Sequence, residues 1–235
     1  MKIRTRLYIE TDLEVGKTID IVPPQLHFLK NVMRIKEGEG VSLFNGKDGE
    51  FTAQITEVKN KFILAECVEK TREQTTQSSI KLYFGSTNKH RLAFLVEKAT
   101  ELGVGELQPI ITEYGDSKLF KADKMLLQAI EASEQCERLD IPVVNDVMKL
   151  KDIKDDNVII FADESKVGDS LLNVLSEVKD KSVSIIIGPA GGFSDAEKEF
   201  INSLDDVRNV SLGDNILRVE TAGVMILSVI RSFSN

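Results

Sequence analysis

The chain has 235 residues, 42% hydrophobic and 29% charged, with 15 Gly and 5 Pro, a globular composition that excludes collagen-like and low-complexity architectures. A formal net charge of −8 and a pI near 5.0 exclude a nucleic-acid binder that works by uniform basic charge. Cys67 and Cys136 form no CxxC pair, the two His are scattered, no apolar run reaches a membrane span and the N-terminus lacks a signal-peptide core, so the expectation is a cytoplasmic protein with no metal, disulfide or membrane partner.

The charge is unevenly placed. Residues 1–72 hold 12 basic and 11 acidic side chains, whereas residues 73–235 hold 18 and 27. Lys2, Arg4 and Arg6 alternate with Ile3, Thr5 and Leu7; as a strand, the period of two gathers three cations on one face. That face reads either as a solvated edge or as a phosphate-binding surface. After Pro23 and Pro24 a short helix is expected over 27–34. Short alternating runs at 41–44 and 50–55 flank Asn45-Gly46 and Asp48-Gly49, which predicts a hairpin, with a third strand at 62–67. The outline is a small barrel or sandwich over 1–72, followed by a polar, aperiodic linker at 73–79.

From residue 80 strands and helices alternate. Strands are expected at 80–85, 107–111, 158–162, 183–187 and 208–212, and helices at 90–102, 121–138, 169–179, 195–203 and 219–233. The pattern predicts an α/β domain over 80–235 with a mostly parallel sheet. Helix 90–102 carries Leu92, Leu95, Val96, Ala99 and Leu102 at helical spacing and stops at Gly103. On helix 121–138 the stripe of Glu131, Gln135 and Arg138 reads as a solvated face. Helix 219–233 is apolar nearly all round, so it is expected to be covered on most sides by its own core or a second subunit.

Two loops carry the chemistry. Strand 183–187 runs into Gly188-Pro189-Ala190-Gly191-Gly192 and then into a helix opened by Ser194 and Glu197, a capping-box spacing. Glycines there let a ligand approach the backbone, and the helix start offers N–H groups. The loop is neither a P-loop nor GxGxxG, so a plain tight turn stands as the alternative. Strand 208–212 likewise ends at Gly213 before the loop 213–218 and the last helix.

With these loops and two further blocks, the chain resembles the ribosomal RNA small subunit methyltransferase E family, of the SPOUT class of knotted methyltransferases. The family's EKATELGV block stands at 97–104. Its EAxEQxxR block stands at 131–138, followed by Pro142, and its LGxxILRxETA block at 212–222. His27, the Val32-Met33-Arg34 segment and Phe44-Asn45-Gly46 fit its N-terminal pattern. The resemblance implies a PUA-like β-barrel that binds RNA and a SPOUT α/β domain with a deep trefoil knot. It implies S-adenosylmethionine held by Ile187, Gly188, Pro189, Gly191 and Gly192 of the first loop. From the second segment Leu212, Gly213, Ile216, Leu217, Arg218 and Thr221 would join them. A homodimer through the C-terminal helix would methylate N3 of one uridine in 16S ribosomal RNA, free or within the small ribosomal subunit.

Uridine N3 carries a proton at neutral pH, and as it leaves, charge spreads to O2 and O4, where a fixed cation would lower the barrier. Arg218 is the first choice for that cation and Arg138 the second, with Glu220 either taking the proton or holding Arg218. Phosphate contacts are expected from Lys2, Arg4, Arg6, Arg34, Lys89, His90 and Arg91, with His27 structural or RNA-facing. The family's GPEGG has Ala190 here in place of Glu, and Asn215 stands where it has Arg; the two are read as an ion pair lost jointly, since losing one partner strands a charge. The competing readings are a knotted enzyme for another RNA position, a non-catalytic RNA-binding or assembly protein, and a nucleotide-binding α/β protein.

Overall fold

The computed structural model describes residues 1–23, 25–163, 168–178 and 181–233. Two units emerge, one of Met1–Gln77 with Ser133–Ile141 and one of Ser78–Ala132 with Pro142–Asn235.

In the first unit, five strands form a mixed sheet in the order Ile3–Tyr8, Gly40–Phe44, Glu50–Val58, Ile63–Arg72, Thr18–Ile21. Only the first of these pairings is parallel. The expected hairpin is present, with Leu43 opposite Phe51. Its turn bends through Gly46 and Gly49 at φ +77° and +90°, and a Cβ on Gly49 would collide with the Arg72 carbonyl. Leu7, Ile19, Val41, Leu43, Ile55 and Ile63 pack the core. The helix expected over 27–34 is instead a short α turn, Gln25–His27, running into a π turn, Phe28–Val32; Pro24 lies outside the described residues. Arg34 ends it at φ +52°.

The basic strand departs from its expected open face. Arg6, its side chain only 10% exposed, donates to Glu50 Oε1 at 3.2 Å, to the Ser133 carbonyl at 2.8 Å and to the Arg138 carbonyl. Its guanidinium lies 3.6 Å over the Phe44 ring, a cation–π contact. Glu50 also accepts from the Ser42 hydroxyl and, at 3.0 Å, from Arg72 Nη1. Arg4 is paired with Glu39 at 2.6 Å and reaches the Met33 carbonyl. Period two assigns faces correctly but cannot see that neighbouring strands bring carboxylates to the same face. Two of the three cations therefore hold the unit together, and Lys2 remains exposed.

In the second unit, parallel strands lie in the order Asp169–Ser170, Val207–Ser211, Val158–Ala162, Val183–Ile187, Lys81–Phe84, Glu106–Ile111, Val143–Val144. Met148–Lys149 also pairs with Glu106–Ile111. Val158–Ala162 and Val183–Ile187 are buried throughout, as strands covered on both faces must be. The helices are Lys89–Glu101, Ala122–Gln135, Leu171–Glu177, Asp195–Asn202 and Val219–Phe233. The second stops before the expected 138 because Glu137 turns to φ +61°, which continues no right-handed helix. The expected helix at 169–179 starts two residues late, because Asp169 and Ser170 pair with Val210 and Ser211; residue 179 lies outside the described residues. Val219–Phe233 buries one face, with Gly223, Ile226, Leu227 and Ile230, and leaves Met225 38% exposed. A Cβ on Gly223 would stand 2.8 Å from Leu95 Cδ1, so this glycine sets how closely the last helix meets Lys89–Glu101.

Gly85 makes a tight demand beside the first loop. Its N–H donates to the Ile187 carbonyl at 3.0 Å, and a Cβ there would collide with the Pro189 backbone nitrogen. Gly85→Ala is expected to destabilise the protein by about 1–3 kcal/mol through overpacking, read as a lower urea midpoint. Glu50 supplies a pH test. Burial pushes its carboxyl up, but the Ser42 hydroxyl, Arg6 and Arg72 together hold it below the ordinary 4.5. Its contribution is therefore complete above about pH 4.5 and is lost as pH falls through the lower folded value. Glu50→Gln should lower stability at pH 7 by about 1–3 kcal/mol, with the gap to wild type closing as urea melts are run toward pH 3.

Candidate active site

Because the sheet is parallel, strands ending at Phe84, Ala162, Ile187 and Ser211 all release their loops at one edge, where open α/β sheets bind ligands. A cleft of about 390 Å³ opens there, within the range of small-molecule sites. Its walls are Ile187–Gly192 of the first loop, Leu212, Gly213 and Asn215–Val219 of the second, with Thr87, Arg91, Ala162, Asp163 and Ala222.

Backbone hydrogen bonds shape the first loop. Ala190 N–H donates to the Ser86 carbonyl and Gly192 N–H to the Pro189 carbonyl, both at 3.0 Å. A Cβ on Gly191 would press on Tyr114 Cβ at 3.0 Å. The capping box forms: Glu197 N–H donates to Ser194 Oγ at 3.4 Å, and Ser194 N–H to Glu197 Oε2 at 3.0 Å. Glu197 Oε1 accepts from Glu113 N–H at 2.7 Å. The capping box thus engages the Ser194 and Glu197 N–H groups of this helix start. In the second loop Gly213 adopts φ +102° with nothing within 4 Å of a Cβ; the backbone needs glycine there, while the space stays open.

Ten of the eleven residues assigned to the cofactor line this cleft; Thr221 is exposed on the first helical turn and is not among them. Arg218, the first choice for the cation, is one of the ten. Glu220 is buried, and its Oε1 stands 3.4 Å from Arg91 Nε, so the described partner of Glu220 is Arg91 and not Arg218. Arg138 sits in the segment grouped with the first unit, 12% exposed and paired with Asp140 at 2.9 Å; the expectation of a solvated stripe fails at this residue. Lys2, His27, Arg34, Lys89 and His90 are exposed, whereas Arg4 and Arg6 are committed internally and Arg91 faces the cleft.

Sequence reading missed Thr87 and Asp163. Thr87 is 3% exposed, and its Oγ1 has no hydrogen-bond partner. Asp163 pairs with Lys198 at 3.1 Å. Both follow the C-terminal end of a sheet strand, so the strand-edge rule applied to all four central strands would have found them. Ala190 and Asn215, the two departures from the family pattern, share the cleft.

The model of an RNA methyltransferase domain matches residues 73–231, and that of an RNA methyltransferase PUA domain matches 23–67. A ribosomal RNA small subunit methyltransferase E from Rickettsia conorii is 32% identical over 96% of this chain and 94% of its own length. The chain belongs to the ribosomal RNA small subunit methyltransferase E family. The Bacillus subtilis member is 29% identical over 96% of this chain and 95% of its own. Among solved structures, the Neisseria gonorrhoeae member bound to S-adenosyl methionine superposes with a TM-score of 0.85 at 25% identity, covering 97% of both chains.

Proposed function

We propose that this protein is a cytoplasmic, S-adenosylmethionine-dependent methyltransferase acting on N3 of one uridine in 16S ribosomal RNA of the small subunit. The observation that carries the reading is the cleft built by two glycine-bearing loops at the sheet edge, in a chain of a family named for that RNA. The cleft suits the cofactor: its size is right, Gly213 leaves space that a side chain would fill, and the buried Thr87 hydroxyl lacks a protein partner. Ile187, Gly188, Pro189, Gly191 and Gly192 would hold one side of S-adenosylmethionine. Leu212, Gly213, Ile216 and Leu217 would hold the other. When bound, S-adenosylmethionine supplies the electrophilic methyl group.

The protein's own part is to align the base with that methyl and to favour loss of the N3 proton. Arg218, on the second loop, is assigned the cation that meets charge developing on O2 and O4 of the uracil. Arg138, already engaged by Asp140, ranks behind it. Trefoil knotting of the second domain is supported by loops 188–192 and 212–218, which leave strands separated in the sheet by Val158–Ala162 and yet share one cleft. A homodimer through the last helix is supported by Met225, an apolar side chain of that helix left 38% exposed, which a second copy would cover.

Mass spectrometry of 16S ribosomal RNA from a strain lacking the protein tests the reading. One 3-methyluridine should vanish and return with the wild-type gene. An unchanged 3-methyluridine level overturns it, and loss of a ribose methyl group would move the target. Arg218→Ala should lower turnover about 100-fold or more at saturating S-adenosylmethionine. For RNA affinity, replacing Lys2 and Arg34 by Ala should reduce the salt slope of binding to a 16S fragment by about one to two, with the melting temperature unchanged. Arg6→Ala should instead lower the melting temperature.

A further inference from the structure

Helix Lys89–Glu101 begins against the usual electrostatic rule. Its first turn is Lys89, His90 and Arg91, with no acidic residue, although the N-terminal end of a helix dipole repels cations. Helix Asp195–Asn202 in the same unit obeys the rule, with Asp195 and Glu197 in its first turn. Asn88 caps Lys89–Glu101, and its side chain accepts from Arg91 N–H at 3.1 Å. A cationic helix start of this kind is unfavourable by itself and favourable when an anion sits on it.

A second observation points the same way. Thr87, just before the cap, is 3% exposed, its hydroxyl has no hydrogen-bond partner, and it lines the cleft. Buried polar atoms are ordinarily paired, so a hydroxyl left over beside a cleft is matched to something that enters it. Arg91 lines the same cleft. Its Nε faces Glu220 Oε1 at 3.4 Å, and Glu220 is 11% exposed on its side chain. An Arg fixed through Nε still presents its terminal nitrogens, the geometry that grips a planar or tetrahedral oxyanion in a bidentate way. Arg91 and Arg218 both line the cleft and its acidic member Asp163 is paired with Lys198, so the cleft stays positive beside Glu220.

We infer that Thr87, Arg91 and the start of helix Lys89–Glu101 form an oxyanion subsite of the cleft, and that Glu220 is a positioning residue that orients Arg91. The ligand chemistry is a carboxylate or phosphate oxyanion, with two sources within reach of such a cleft: the carboxylate of the cofactor's methionine part, or a phosphate beside the target base. The inference rests on the cofactor reading of the cleft and adds to it a side-chain contact that neither glycine loop provides.

Calorimetric titration of the full-length protein separates these sources. S-adenosylhomocysteine carries the carboxylate, whereas 5′-methylthioadenosine has the same nucleoside thioether without it. If the carboxylate is the ligand, Arg91→Gln and Thr87→Val should each weaken S-adenosylhomocysteine binding by about tenfold, the scale of one charge-assisted hydrogen bond. Binding of 5′-methylthioadenosine should hold, which also shows that each variant is folded. If phosphate is the ligand, both nucleoside affinities should hold. Affinity for a 16S fragment should then fall about tenfold, with the salt slope of the Arg91 variant smaller by about one. Glu220→Gln should weaken the same ligand as Arg91→Gln, and combining the two should add little, since one acts through the other. Variants at 87 and 91 that bind all three ligands like wild type overturn the subsite. A wild-type protein that binds neither nucleoside overturns the cofactor reading of the cleft itself.

Discussion

The close approach of two backbones at Gly85 and Pro189 is the constraint on which the site depends. Lys81–Phe84 and Val183–Ile187 are sheet neighbours, so their loops leave side by side. With no side chain at Gly85, the first loop lies directly on the segment that follows Phe84. From that contact the rest is determined in turn. Ala190 N–H reaches the Ser86 carbonyl, and Ser86 Oγ accepts from Asp116 N–H at 2.7 Å. Thr87 and Arg91, next along the chain, are then delivered to the wall of the cleft. A larger residue at 85 would separate the loops, and both walls of the cleft would move with them.

The first unit is organised by charge where the second is organised by backbone packing. Glu50 is 10% exposed and is met by Arg6 and Arg72, and a buried carboxylate is tolerable only when its oxygens are fully engaged. Arg6 and Arg72 also donate to the carbonyls of Ser133, Arg138 and Glu137. The segment 133–141, far along the chain, is thereby tied to the first unit through main-chain oxygens. The Glu134 side chain adds a further tie by accepting from Tyr8 N–H at 2.9 Å.

Where local pattern determines structure, the sequence was legible. The buried strands Val158–Ala162 and Val183–Ile187 fall where continuous apolar runs place them, and Lys89–Glu101 follows its 3.6-residue spacing into Gly103 at φ +92°. The hairpin follows from Asn-Gly and Asp-Gly. What pattern missed is what depends on a partner distant in sequence. Arg6 meets Glu50, 44 residues away, and no periodicity encodes that. Arg91 meets Glu220 from the far end of the chain, where Gly223 lets the last helix settle against Leu95. Motif blocks brought ten of the eleven residues assigned to the cofactor to one cleft and left Thr221 outside its lining, since a block marks a stretch of chain and not the direction of each side chain.

The same distinction between sum and placement settles the charge question. Residues 73–235 hold 18 basic and 27 acidic side chains, which in bulk would repel RNA. Interactions between exposed charges fade beyond a screening length of about 8–10 Å at ordinary salt, so a cleft feels its own walls far more than the far side of its domain. Those walls offer Arg91 and Arg218, and Asp163, their acidic member, is paired with Lys198. Inside a cleft, where screening is weaker than at an open surface, two placed guanidiniums outweigh a distant acidic surplus. An acidic protein is thus suited to an anionic substrate when its cations stand at the strand ends, and surplus carboxylates elsewhere limit the non-specific RNA binding that uniform basic charge would bring.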